Sequence, residues 1–165
     1  MSTTTVYAAF DDGDMTPVAS FRNAFRGAFH VWAELSERYL GHVLRLGGNL
    51  QTLWDLDKDP RLTDDERLVH VSTFDRAFVR REHMRRIADA LDAFVPSTEN
   101  LTGQAAAIRK AWEDGARVVA WCHTSVAGDL DWSTMGPRDE ADEDAEAVPF
   151  NIDRDKFTGP EVVPR

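Results

Sequence analysis

Asp55, Asp57 and Asp59 stand at alternate positions ahead of Glu66, a concentration of oxygen donors that suits a hard divalent cation. These four are the candidate metal ligands, and a divalent cation is the one cofactor the sequence offers. Two further pairs, His30 with Glu34 and Glu66 with His70, are spaced four apart, so each shares one helical face. Glu34 with Glu37 and Asp89 with Asp92 form acidic pairs three apart. Arg76 with His83, and Arg117 with His123, are arginine–histidine pairs with six and five residues between them. Cys122 adjoins His123, but neighbours on a helix point about 100° apart, so Cys122 reads as a core thiol. The run VRREHMRR presents Arg80, Arg81, Arg85 and Arg86, which with the tryptophans Trp121 and Trp132 are the candidate partner-binding residues. No set of residues is assigned as catalytic.

Three of these patterns resemble known motifs. The twelve residues Asp55–Glu66 resemble an EF-hand calcium loop, with acidic residues at loop positions 1, 3, 5 and 12. The sixth position needs a positive φ and here holds Pro60, locked near −65°. A helix start explains the same residues, with Thr63 as N-cap and Glu66 closing a capping box. The acidic pairs resemble those of all-α nucleotide pyrophosphatases, which hold Mg²⁺ against a triphosphate, although the second pair carries aspartate in place of glutamate. The arginine–histidine spacings resemble the loose signature of HEPN ribonucleases, which implies a site at a dimer cleft.

Elements that would position these residues follow from apolar periodicity. Residues 3–10, TTTVYAAF, read as a short strand or an extended arm. From Val18 to Leu46 a stripe of Val18, Phe21, Phe25, Ala28, Phe29, Trp32, Leu35, Tyr39, Val43 and Leu46 predicts one helix with about 40 Å of apolar face. A short second helix covers Leu50–Trp54. The third runs from Thr63 to about Phe94, ahead of Val95-Pro96, and the fourth carries Ala105, Ile108, Trp112, Gly115, Val119, Cys122 and Val126. In the third, Val71, Phe74 and Phe78 lie on a face rotated by about 150° from that of Met84, Ile87, Leu91 and Phe94. One straight helix cannot bury both faces on one neighbour, so the pattern predicts either a kink at Val79–Arg86 or cover from another chain. The expected fold is therefore all-α: a bundle of three long amphipathic helices and a short one over residues 1–132, with an acidic, extended or partner-docked tail over 133–165.

At 165 residues and 42% hydrophobic content, the chain can build one sizeable core. A net charge of −10 disfavours phosphate neutralisation and so predicts no direct nucleic-acid binding. Much of that charge sits in Arg138–Glu146, where six carboxylates face one arginine. No apolar stretch reaches the ~18 residues of a membrane span, the N-terminus lacks a secretory pattern, and a single cysteine fits a reducing compartment. A cytoplasmic location is expected, or an intravirion one for a phage protein. Lysine occurs only at 58, 110 and 156, the arginine-rich bias of a GC-rich genome such as that of an actinobacterium or its phage. Together these features predict a non-enzymatic interaction module, an assembly subunit or inhibitor-like adaptor that binds a protein partner and self-associates into a homo-oligomer. The alternatives are a metal-dependent nucleotide hydrolase, a HEPN-like nuclease, or an acidic mimic of nucleic acid.

Overall fold

The run TTTVYAA, with its β-branched residues, forms strand β1 (Thr3–Ala9) rather than a free arm. The computed structural model describes residues 3–10, 15–22, 27–41, 50–74, 76–124, 130–131, 136–137 and 159–165. Strand β2 spans Met15–Arg22, β3 Phe78–Arg80 and β4 Val118–Thr124, and the four strands form an antiparallel sheet of order β2-β1-β4-β3. The helices are α1 (Ala28–Leu40), α2 (Leu50–Trp54), α3 (Asp64–Ser72), α4 (Arg81–Ala93) and α5 (Glu99–Glu113), with a 3₁₀ turn at Asp55–Lys58. A separate ladder joins β5 (Leu130–Asp131) to β6 (Gly136–Pro137). Helix α5 packs on β1 and β2, α4 on α5, β3 and β4, α3 on α4, and α1 on α3. Among the described residues no helix is long and apolar enough to cross a membrane.

This mixed α/β architecture overturns the all-α bundle, because three apparent helices each run into a strand. Val18 and Phe21 of the first stripe lie on β2, and α1 keeps only thirteen residues. Their three-residue step mimics a helical turn. The supposed third helix is α3, a turn, β3 and then α4. In that turn Arg76 takes φ 60° and donates its backbone N–H to the Trp121 carbonyl at 3.1 Å. The 150° rotation between apolar faces is therefore an inserted strand, neither a kink nor a second chain.

The supposed fourth helix stops at Glu113, where Gly115 at φ 95° turns the chain into β4. A positive φ suits glycine, which carries no Cβ to clash with the backbone. On β4, Val119 and Trp121 join the main core with Val6, Ala8 and Ile87, while Val118 and Ala120 join a second cluster with Ala9 and Phe78. A strand buried on both faces shows no polar alternation, so its period of two is invisible in the sequence.

The last seven residues dock on the sheet. Phe78 donates its N–H to the Pro160 carbonyl at 3.1 Å and accepts from the Val162 N–H at 2.8 Å, so Glu161 pairs with Phe78 in parallel along the outer edge of β3. Val162 is shut inside the main core. The acidic run 138–146 and Trp132 lie outside the described residues.

Candidate functional site

Strand β3 passes into α4 without an intervening residue, and its last residue, Arg80, pairs with Val118 at the start of β4. That register carries the α5–β4 turn against the strand–helix junction. The Arg81 N–H donates to the Arg117 carbonyl at 2.9 Å, and the Arg117 N–H to the Ala9 carbonyl at 2.8 Å. Between them lies a cleft of about 300 Å³ lined by Arg80, Arg81, Glu82, Arg117 and Val118. The N-cap of α4 is Arg80, whose side chain makes no capping bond.

Two of the three guanidinium groups are held in place. Arg81 donates from Nη1 to the carbonyls of Trp112 at 2.8 Å and Ala116 at 2.9 Å, so a cation sits at the C-terminal end of α5, where the helix dipole favours it. It also lies 4.8 Å over the Trp112 ring, with Arg85 one turn on at 5.1 Å. Arg80 lies over Phe78 and pairs through Nε with the Glu161 carboxylate at 3.2 Å. The exposed Arg117 has no partner for its guanidinium among the described residues. Arg86 points elsewhere, to Asp64 at 3.2 Å and to Asp65, and so ties α4 to the first turn of α3. Of the six residues expected to bind a partner, Arg80 and Arg81 line the cleft and Arg85 stands behind it. Trp121 is fully buried on β4, where its Nε1 donates to Gln104 at 2.9 Å.

The expected metal ligands do not converge. Asp55 sits in the 3₁₀ turn, where hydrogen bonds from Lys58 at 2.7 Å and then from Gln51 hold its carboxyl below the usual range. Asp59 accepts from the Arg61 side chain and backbone, which lowers it to about 2. The Asp57 carbonyl accepts from Arg165. Glu66 closes the capping box with Thr63 and takes the Tyr39 hydroxyl at 2.6 Å and Arg38 at 2.8 Å. Burial pushes the Glu66 carboxyl up, yet these donors outweigh it and the net shift is downward. Tyr39, half-buried and hydrogen-bonded to that charge, is raised to about 12. Among the described residues no three histidine, cysteine or acidic side chains are grouped to hold a metal.

The other patterns are likewise spread out. Asp89 and Asp92 clamp Arg109 of α5 at 2.8 and 2.5 Å, and Glu34 lies 3.8 Å from Arg38. His30 contacts the Pro96 carbonyl at 2.8 Å. Arg76 is buried in the turn before β3 and His83 lies beyond that strand, in the first turn of α4. Arg117 and His123 fall at opposite ends of β4, roughly 20 Å apart at the rise of a strand. Sequence spacing missed Arg117 and Glu161 as members of the arginine corner, because strand pairing alone brings them there. Comparison with protein-family models, curated proteins and solved structures finds no match to this chain.

Proposed function

We propose that this protein is a non-enzymatic protein–protein interaction module whose contact site is the outer edge of β3 with the arginine corner beside it. What supports this reading is the seven-residue segment Gly159–Arg165, which joins that edge through one parallel bridge at Phe78, with Val162 buried and Glu161 on Arg80. Main-chain hydrogen bonds along an edge supply affinity and side-chain pockets supply selectivity, the general mode of β-strand addition. The partner is a protein segment of matching chemistry, an acidic residue followed by a β-branched apolar one. A second copy of this chain offers such a segment, which makes a homo-oligomer one form of the assembly. The working compartment in this reading is the cytoplasm, or the virion for a phage protein, and the net charge of −10 keeps the module off nucleic acid.

The test uses the full chain carrying Val162→Asp, which places a charge in the core and ejects the segment. Circular dichroism checks that the variant is folded. A synthetic peptide of residues 159–165 is then titrated in trans, with a scrambled peptide as control, and sedimentation velocity follows self-association of the wild type. Saturable binding of the native peptide alone is expected. A folded variant that ignores the peptide overturns the reading, as does metal-dependent hydrolysis of nucleoside triphosphates or RNA by the wild type.

A further inference from the structure

We infer that the cleft between Arg80, Arg81 and Arg117 is an oxyanion subsite that takes a phosphate monoester; as a feature of the partner segment, the inference rests on the interaction reading above. Three arginines and one glutamate, Glu82, are among the residues lining about 300 Å³ in a chain whose net charge is −10. Like charges brought together at a surface repel one another unless an anion joins them. The volume is at the lower end for ligand sites, which suits a single charged group on its stem rather than a whole cofactor.

The donors are arranged for such a group. Arg81 is fixed by two carbonyls and the Trp112 ring, and Arg80 by Phe78 and Glu161, so neither must be ordered when an anion arrives. Arg117, exposed at the turn into β4, is the third arginine of the lining, and no ion pair or side-chain hydrogen bond engages it among the described residues. Planar guanidinium forks match the oxygens of phosphate in paired hydrogen bonds. A phosphoryl dianion offers three terminal oxygens to these arginines, one more than a carboxylate. A carboxylate offers two oxygens and half the charge, and one carboxylate, that of Glu161, is already held by Arg80.

Inorganic phosphate is titrated into the full-length protein at constant ionic strength, with sodium chloride and acetate as controls, reading the arginine side-chain N–H resonances and the melting temperature. Constant ionic strength removes general screening from the comparison. Phosphate should bind saturably with a dissociation constant on the order of 1 mM. Arg117→Ala should weaken it at least about 5-fold with circular dichroism unchanged, and Arg117→Lys should restore part of the loss. In the second arm, phosphoserine within an extended peptide should bind more tightly than free phosphate, which assigns the group to a peptide; equal affinity limits the site to small phosphates and overturns the link to a partner segment. Equal response to acetate overturns the phosphate assignment. Phosphate binding that survives Arg117→Ala marks an adventitious ion only and overturns the subsite. The Val162→Asp peptide titration does not depend on Arg117, so failure of the subsite and failure of the interaction reading give different results.

Discussion

Acid should weaken this protein well above the range in which carboxylates titrate, and His70 is the reason. Its side chain on α3 is fully buried, edge-on to Phe74 with ring centroids 5.0 Å apart. Neither ring nitrogen makes a full hydrogen bond, although the Leu53 backbone lies close enough to soften the effect. Burial pushes the imidazole down to about 4, against about 6.5 in an unfolded chain. Because the folded value is the lower one, the unfolded chain binds the extra proton. The contribution of the neutral ring is complete above pH 6.5 and is lost as pH falls towards 4. At ~1.36 kcal/mol per pH unit, the fall from 6.5 to 5 costs about 2 kcal/mol, and the whole interval roughly 3 kcal/mol. Urea unfolding at pH 7.5, 6, 5 and 4.5 measures this loss in the wild type and in His70→Leu, which keeps the bulk and removes the titration. The difference in stability between the two should shift by about 2 kcal/mol in favour of the variant between pH 6.5 and 5. Parallel pH profiles, or an NMR titration that places His70 near 6.5, refute the reasoning.

Other perturbations test separate parts of the structure by the same denaturant assay unless stated. Thr63→Ala removes one half of the capping box and should cost about 1 kcal/mol, whereas Glu66→Ala also strands the Tyr39 hydroxyl and Arg38 and should cost about twice that. Gln104 accepts from Trp121 at 2.9 Å and donates to Asn100 at 2.6 Å, which in turn donates to the Arg22 carbonyl of β2 at 3.0 Å. Gln104→Leu breaks this buried chain and should cost about 2 kcal/mol, because it leaves the indole N–H without an acceptor. A Cβ on Gly159 would lie 2.1 Å from the Arg76 carbonyl oxygen, so Gly159→Ala should loosen the C-terminal segment. Amide exchange at Phe78 and Val162 should then accelerate by about tenfold or more, the loss of ~1.4 kcal/mol, while α5 amides keep their wild-type rates.

What the sequence made legible was local chemistry. The capping box of Thr63 and Glu66, the end of α4 ahead of Val95-Pro96 and the arginine cluster at 80–86 each depend on residues within a few positions of one another. The strands were not legible for two different reasons. Strand β4 is apolar on both faces, so it reads as the continuation of α5, with Val119 and Cys122 falling at helical steps by coincidence. Strand β3 is three residues long, too short for any period, and only a rotation of the apolar face betrayed it. The candidate site divides in the same way. Arg80 and Arg81 stand out as part of a basic run, but Arg117 and Glu161 join them through pairings across 37 and 81 positions of sequence, which no local pattern encodes.

The two edges of the sheet differ in ways that favour the β3 side for the proposed partner. On the β2 edge, Val6 faces Ala19 while Tyr7 faces Pro17, so Val18 is an extra residue that bulges out and stands 40% exposed. A proline without an N–H followed by a bulge is a device that natural sheets use to refuse another strand. The β3 edge carries no such device. Its Phe78 offers both an N–H and a carbonyl outward, and the chain's own Gly159–Arg165 takes up both. An internal segment and an incoming one would compete for the same edge. An incoming segment must outcompete that internal one, so affinities measured on the intact chain should be weaker than those on Val162→Asp by the ratio of closed to open edges. A partner that binds both forms equally is not using this edge.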